Sequence, residues 1–203
     1  MKILFLTNNL EVTRPLLAWL CQKEGTPDVR LCCEKISKKV FLNGGCFDNI
    51  EFIVSYNYAH IVKEDVISLF PHKIINLHTS LLPWNKGASP NIWSFIEDTP
   101  SGVTIHEMDE GIDSGDILLQ HELIFDYEME TLASSYHQSH KEMQKMFKAY
   151  WEKLKNNRIA PKKQVQGGTV HYKNDLLPYK DIISYDDKIS VFLQKAKRIK
   201  GEI

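Results

Sequence analysis

Short apolar runs recur along this chain at intervals that fit a sheet interleaved with helices. Strand candidates fall at residues 2–6, 29–33, 51–55, 73–78, 102–108 and 116–123, all of strand length and rich in Ile, Leu, Val and Phe. Residues 12–24 instead repeat at helical spacing, with Leu16, Leu17, Leu20 and Cys21 on one face and Thr13 and Pro15 as start signals. A shorter helical segment covers 64–70. Ser89-Pro90 opens another through Ile92, Trp93, Phe95 and Ile96, which the turn-rich Asp98-Thr-Pro-Ser-Gly102 stops. Over 130–154, Leu132, Met143, Met146, Phe147, Tyr150, Trp151 and Leu154 form a stripe that predicts a long helix packed back across the sheet. The alternation of the two periods predicts an α/β fold with a mostly parallel open sheet. Asn156-Asn157 and Pro161 then mark a boundary, and Gln166-Gly-Gly168 introduces a tail. Within it 169–172 can pair as a short strand, and 191–199 can form a last helix with Lys195, Lys197, Arg198 and Lys200 on its solvated side. The chain thus reads as a main domain over 1–155 and a C-terminal extension over 156–203.

Charge narrows the partners. Lys and Arg number 25 against 26 Asp and Glu, a formal net charge of -1, so no global field favours nucleic acid or an anionic membrane surface. A small-molecule partner fits better. The longest apolar runs fall well short of a membrane span, and Met1-Lys-Ile-Leu-Phe-Leu-Thr7 reads as a first strand rather than a signal peptide. Cys21, Cys32, Cys33 and Cys46 lack the paired spacing of a zinc site, so we expect reduced thiols in the cytoplasm and no metal.

The strand over 73–78 carries the chemistry. Positions two apart on a strand project to the same side, which places Asn76 and His78 together at its carboxyl end, where open α/β sheets bind ligands. Asp113 follows in Gly111-Ile-Asp-Ser-Gly115, where flanking glycines let the backbone turn sharply. Taken singly, the Asn-x-His pair also reads as a satisfied polar pair, and Asp113 as a turn former. Together they can stabilise an oxyanion, take a proton and orient the base.

Residues 75–120, INLHTSLLPWNKGASPNIWSFIEDTPSGVTIHEMDEGIDSGDILLQ, resemble the catalytic core of the formyltransferases that use N10-formyltetrahydrofolate. The resemblance is dense there and looser over 1–155. It implies a Rossmann-like formyltransferase domain in which Asn76, His78 and Asp113 form the catalytic set, with neither a covalent enzyme intermediate nor a metal. Asn76 would donate to the oxyanion, His78 would stabilise it and accept a proton, and Asp113 would orient or relay. The folate would lie between the 56–62 segment and the 108–113 loop. Its lining would be Tyr58, His60 and Val62 with Met108, Asp109, Gly111, Ile112 and Asp113.

Several acceptors share such a core. Glycinamide ribonucleotide formyltransferases carry a glycine-containing phosphate loop after the first strand, where this chain has Thr7-Asn-Asn-Leu-Glu-Val-Thr-Arg14, without glycine and with Glu11. Methionyl-tRNA formyltransferases carry a further RNA-contacting domain. Pro83-Trp-Asn-Lys-Gly-Ala-Ser-Pro-Asn-Ile-Trp93 and Gly168-Thr-Val-His-Tyr-Lys-Asn-Asp175 look instead like the compact nucleotide-sugar N-formyltransferases. Trp84, Asn85, Lys86, Asn91, Trp93, His171 and Tyr172 offer rings, hydrogen bonds and charge suited to a base, hydroxyls and pyrophosphate. Trp93 also suits a core position, and Lys86 also suits solvent. We therefore expect a cytoplasmic transferase acting on the amine of a dTDP- or UDP-linked 4-amino-4,6-dideoxy sugar. Its products would serve surface polysaccharides such as the O-antigen of lipopolysaccharide. A homodimer is consistent with the family. The alternatives are glycinamide ribonucleotide as acceptor, or a folate- or nucleotide-sugar-binding protein without turnover.

Overall fold

Strand β1, Ile3–Leu6, has four successive apolar residues that are wholly buried, which requires cover on both faces and places it inside a sheet. The computed structural model describes residues 1–43, 45 and 47–201. In it β1 pairs in parallel with β2, Val29–Cys32, and with β3, Phe52–Tyr56, and β3 pairs in parallel with β4, Ile74–His78. Two further strands, β6 at Ser101–Glu107 and β7 at Ile117–Leu123, complete a six-stranded sheet of order β2-β1-β3-β4-β6-β7. Between β4 and β6 in sequence, β5 at Lys86–Gly87 pairs in parallel with β8 at Val170–His171 as a separate two-stranded sheet. The expected α/β fold with a mostly parallel open sheet is the fold observed.

Helix α1 spans Leu10–Glu24 and begins earlier than Thr13 and Pro15 suggested. Asn9 is the cap: its Oδ1 accepts from Val12 N at 3.4 Å, and its carbonyl accepts the Thr13 amide and hydroxyl. Pro15 sits inside the helix. A short α2, Lys38–Leu42, was not foreseen, whereas α3, Glu64–Ile67, and α4, Pro90–Ile96, fall where expected. The apolar stripe after residue 130 forms α5, Leu132–Leu154. In the tail a 3-10 helix, Lys173–Ile182, precedes α6, Ile189–Lys200.

By contact density the chain divides into two units, neither sequential. One takes in residues 1–78, 105–119 and 146–163, and the other 79–104, 120–145 and the chain from 164 on. In the first, Leu4, Leu6, Ile53, Val66 and Ile74 pack with Phe41, Phe70 and Met108. Trp151 of α5 meets Phe52 edge-on at 5.5 Å, and its indole N–H donates to Glu24 at 2.6 Å. In the second, Ile92, Trp93, Phe95 and Ile96 of α4 pack with Leu132, Tyr179, Ile189 and Phe192. Among the described residues no helix is long and apolar enough to cross a membrane. Cys21, Cys32 and Cys33 are free thiols, and Cys46 lies outside the described residues.

Candidate active site

Ser55 of β3 lies opposite Asn76 of β4, which fixes the register at the carboxyl end of the first unit's strands. From there Asn76 and His78 project to one side, as the period of two requires. The β6–β7 connection brings Asp113 to them. That loop is closed at its base by Glu107 N donating to Asp116 O at 2.9 Å, and Met108 N donates to Ile74 O at 3.1 Å. Inside it, Asp109 Oδ1 accepts from Gly111 N at 3.1 Å and from the Ser114 hydroxyl at 2.6 Å. Gly115 passes so close to β6 that an added Cβ would stand 1.8 Å from the Glu107 carbonyl oxygen. With the base closed this way, Asp113 adopts a left-handed backbone, φ 46°.

The carboxylate of Asp113 then has three polar neighbours, two of which can donate to it. Oδ1 accepts from Asn76 Nδ2 at 2.9 Å and lies 3.3 Å from His106 Nε2, while Oδ2 lies 3.3 Å from His78 Nδ1. His78 and His106 are 6 % and 1 % exposed, so these contacts are little screened by water. A carboxylate beside Nδ1 of His78 keeps the proton there and leaves Nε2 as the basic atom. His106 is set by a different partner. Its Nδ1 is 2.7 Å from the Glu107 carbonyl, an acceptor, so Nδ1 carries the proton and Nε2 presents a lone pair to Asn76 Nδ2 at 3.3 Å. The Asn76 amide hydrogens are thus shared between Asp113 and His106, which fixes the plane and the sense of that amide.

His106 was missed by sequence reasoning, although its signal was present. Thr104 and His106 alternate with apolar Val103 and Ile105 along β6, and a buried imidazole on that face needs polar company. A separate cavity of about 210 Å³ in the same unit, walled by Ile75, Leu118, Leu154 and Ile159, has none of these four polar residues in its lining. Among the described residues no group of three or more His, Cys, Asp or Glu is arranged to hold a metal ion.

The residues expected to line the folate are placed unevenly. Met108, Asp109, Gly111 and Ile112 are in the loop that carries Asp113, with Met108 partly packed into the core. Val62 is 2 % exposed and belongs to that same core. Tyr58 donates its hydroxyl to Glu34 O at 2.6 Å and accepts from Ile36 N at 3.2 Å, while its ring meets His60 edge-on at 5.2 Å. Burial pushes the Tyr58 phenol up to about 12, so it stays a neutral donor.

The residues expected at the acceptor all lie in the second unit. Asn85 is wholly buried: its Nδ2 donates to the Thr99 hydroxyl at 2.7 Å and its backbone N to the Thr169 hydroxyl at 3.2 Å. Lys86 belongs to β5, and its backbone N donates to Thr169 O at 2.9 Å. Trp93 is 7 % exposed and stacks on His171 with centroids 3.9 Å apart and planes 4° from parallel. His171 Nε2 lies 3.1 Å from Glu97 Oε1 but outside hydrogen-bonding geometry. Trp84 and Asn91 are half-buried, with the Asn91 amide nitrogen unpartnered, and Tyr172 is exposed.

An α/β sheet that ends in an Asn–His–Asp cluster brings together a hydrogen-bond donor, a base and an orienting carboxylate, the groups that acyl-group transfer needs. The formyl transferase family model matches residues 47–150, a little over half of the chain, and the chain belongs to that family. The formyltransferase PseJ from Anoxybacillus kamchatkensis, solved in complex with UDP-4,6-dideoxy-4-formamido-L-AltNAc and tetrahydrofolate, has a TM-score of 0.84 and 35% identity, covering 97% of this chain and 100% of its own. A 4-N formyltransferase from Francisella tularensis shares the fold, with a TM-score of 0.70 at 23% identity over 96% of this chain and 87% of its own. Among curated relatives, the methionyl-tRNA formyltransferase of Anaeromyxobacter dehalogenans (strain 2CP-C) is 51% identical over 79 residues, which are 37% of this chain. That match spans 25% of the relative's own length.

Proposed function

We propose that this protein transfers a formyl group from N10-formyltetrahydrofolate to the amine of a UDP-linked 4-amino-4,6-dideoxy sugar. The single observation that carries the reading is the Asp113 carboxylate, which holds Asn76 and His78 side by side at the end of β4. The likeness to PseJ over the full length of that chain supports a nucleotide sugar as acceptor and UDP ahead of dTDP.

The chemistry follows from the arrangement. The neutral sugar amine attacks the formyl carbon, and the carbonyl electron pair moves to oxygen. The Asn76 amide turns one N–H from His106 to that oxyanion, an exchange the 3.3 Å separation makes easy. Nε2 of His78 takes the amine proton, while Asp113 at Nδ1 balances the imidazolium formed. Collapse breaks the bond from carbon to N10, the proton passes to N10, and tetrahydrofolate leaves with the formamido sugar as the other product.

A second acceptor reading has its own support, since curated relatives are methionyl-tRNA formyltransferases. Each acceptor leaves its own product mass. The purified protein is incubated with N10-formyltetrahydrofolate and, separately, with UDP- and dTDP-linked 4-amino-4,6-dideoxy sugars, glycinamide ribonucleotide and methionyl-tRNA. A gain of one formyl group on the UDP sugar supports the proposal. Product on methionyl-tRNA or on glycinamide ribonucleotide alone replaces it, and folate binding without transfer to any acceptor would make the protein a binder.

A further inference from the structure

Residues 84–88 form an unusual piece of backbone. Asn85 and Gly87 have φ of 55° and 86°, and Ser89 follows at 53°, so every second residue is left-handed. Left-handed backbone at Asn and Ser is sterically costly and persists only where the surroundings over-determine it. Here the chain tail does so. Lys86 N donates to Thr169 O and Ala88 N to His171 O, both at 2.9 Å. A Cβ on Gly87 would stand 2.2 Å from the His171 carbonyl oxygen, and one on Gly168 would stand 1.9 Å from the Pro83 carbonyl oxygen. Both approaches leave no room for a side chain.

Side chains lock the same contact. The Thr169 hydroxyl accepts from Asn85 N at 3.2 Å and donates to Glu97 Oε2 at 2.7 Å, and Asn85 Nδ2 donates to Thr99 at 2.7 Å. The other oxygen of Glu97 faces His171, whose ring lies flat on Trp93. The two residues that flank Asn85 are held out differently. Trp84 and Lys86 are each half-buried, and among the described residues the indole has no ring contact and the ammonium no ion pair. An aromatic face and a cation, presented from a backbone held rigid by its neighbours, match the base or ribose and the diphosphate of a nucleotide.

We propose that the Asn85–Thr169–Glu97 network, with His171 stacked on Trp93, is a latch by which the chain tail positions Trp84 and Lys86 for the nucleoside diphosphate of the acceptor. Asn85, Glu97, Thr169 and His171 are on this account positioning residues, and Trp84 and Lys86 make the contacts. The inference deepens the sugar-nucleotide reading and rests on it. It also assigns the tail after residue 164 to acceptor recognition and not to the formyl-transfer step.

Thr169→Val keeps the shape and removes both hydroxyl bonds, while Thr169→Ser restores them. UDP affinity is measured by titration calorimetry on wild type, both variants and Lys86→Met, beside the thermal midpoint of each. Steady-state kinetics with the UDP-linked amino sugar accompany them. Thr169→Val and Lys86→Met should each weaken UDP binding and raise the acceptor KM roughly tenfold, the loss of about one charge-assisted or buried hydrogen bond. Saturating kcat and the folate KM should stay within twofold, and Thr169→Ser should behave as wild type. A folded Thr169→Val protein with unchanged UDP affinity overturns the latch, as does a fall in kcat at unchanged KM. If wild type binds UDP and Thr169→Val binds it more weakly, yet no sugar is formylated, the latch stands and the acceptor reading falls. Wild type that does not bind UDP sinks both.

Discussion

Asp113 has two oxygens and three neighbours, and that ratio sets what each neighbour can do. Oδ2 is left to His78, so the imidazole is oriented by an ionised partner, while Oδ1 holds the Asn76 amide. Removing the base should therefore cost far more than removing a binding contact. We expect His78→Ala to lower kcat/KM by about a thousandfold, within the range for a general base and an oxyanion donor, at a temperature where its thermal transition shows it folded. Ordinary turnover by a folded His78→Ala enzyme would rule out the proposed mechanism. Asn76→Ala should lower kcat by about a hundredfold and move the acceptor KM only severalfold, because its N–H bond to the substrate oxygen forms as charge develops there. The opposite split would make Asn76 a binding residue. Spacing alone placed Asn76 and His78 on one side of a strand, and their meeting with Asp113 is what the folded chain adds. The alternation along β6 marked His106 as a polar residue of that face, but its role was not legible, because it depends on the Glu107 carbonyl that fixes its tautomer.

Elements deliver these residues, so a fault in an element should reach the site. The β6–β7 connection cannot accept a side chain at Gly115, where the Glu107 carbonyl fills the space. Gly115→Ala should destabilise the protein by about 1–3 kcal/mol and lower kcat with it, read by urea unfolding beside single-condition rates. A stable, fully active Gly115→Ala protein would show that the loop re-forms without this close approach. The C-terminus of α1 is tied to α5 in a similar way. Glu24, 7 % exposed at its side chain, accepts from Trp151 Nε1 at 2.6 Å and from Lys155 at 2.8 Å. Burial works to raise the Glu24 carboxyl, and the Lys155 and Trp151 donors together outweigh it and hold the group below its ordinary range. Glu24→Ala leaves the Trp151 indole N–H without its acceptor and Lys155 with Glu152 alone, and should lower stability by about 2 kcal/mol in urea unfolding. A change below 1 kcal/mol would mean that water replaces the carboxylate. Long periodic elements were legible in the sequence, as α5 demonstrates. Short ones were not: α2 has too few residues for a period, and β5 and β8 exist only because they pair across more than eighty residues.

At the scale of the molecule, acid stability gives a test that does not involve catalysis. His140 is 3 % exposed, and burial first, with His137 second, lowers its imidazole to about 4. The unfolded chain binds that proton near the ordinary value of about 6.5, so between the two values the unfolded state holds more protons. Stability must then rise with pH across this window and fall as pH drops from about 6.5 towards 4, by an amount on the order of 3 kcal/mol. The Glu24 contribution is lost only at lower pH, because that carboxyl is itself depressed. Urea midpoints at pH 7 and 4.5 should therefore fall less for His140→Leu than for wild type, and equal slopes would show that His140 is not buried neutral. Rates of formyl transfer in acid are meaningful only where the urea curves show a folded protein. The sequence by itself determined the fold class, because strand and helix periods are local and strong enough to be read residue by residue. It also determined the identity and order of the polar residues at the end of β4 and in the loop before β7, since side-chain direction on a strand and turn formation at glycines are local too. Only the tertiary structure decided which of them touch, which tautomer His106 holds, and that Asn85, Trp93 and His171 are buried. Those outcomes depend on hydrogen bonds and packing between residues distant in sequence, and a one-dimensional pattern holds no record of such distances.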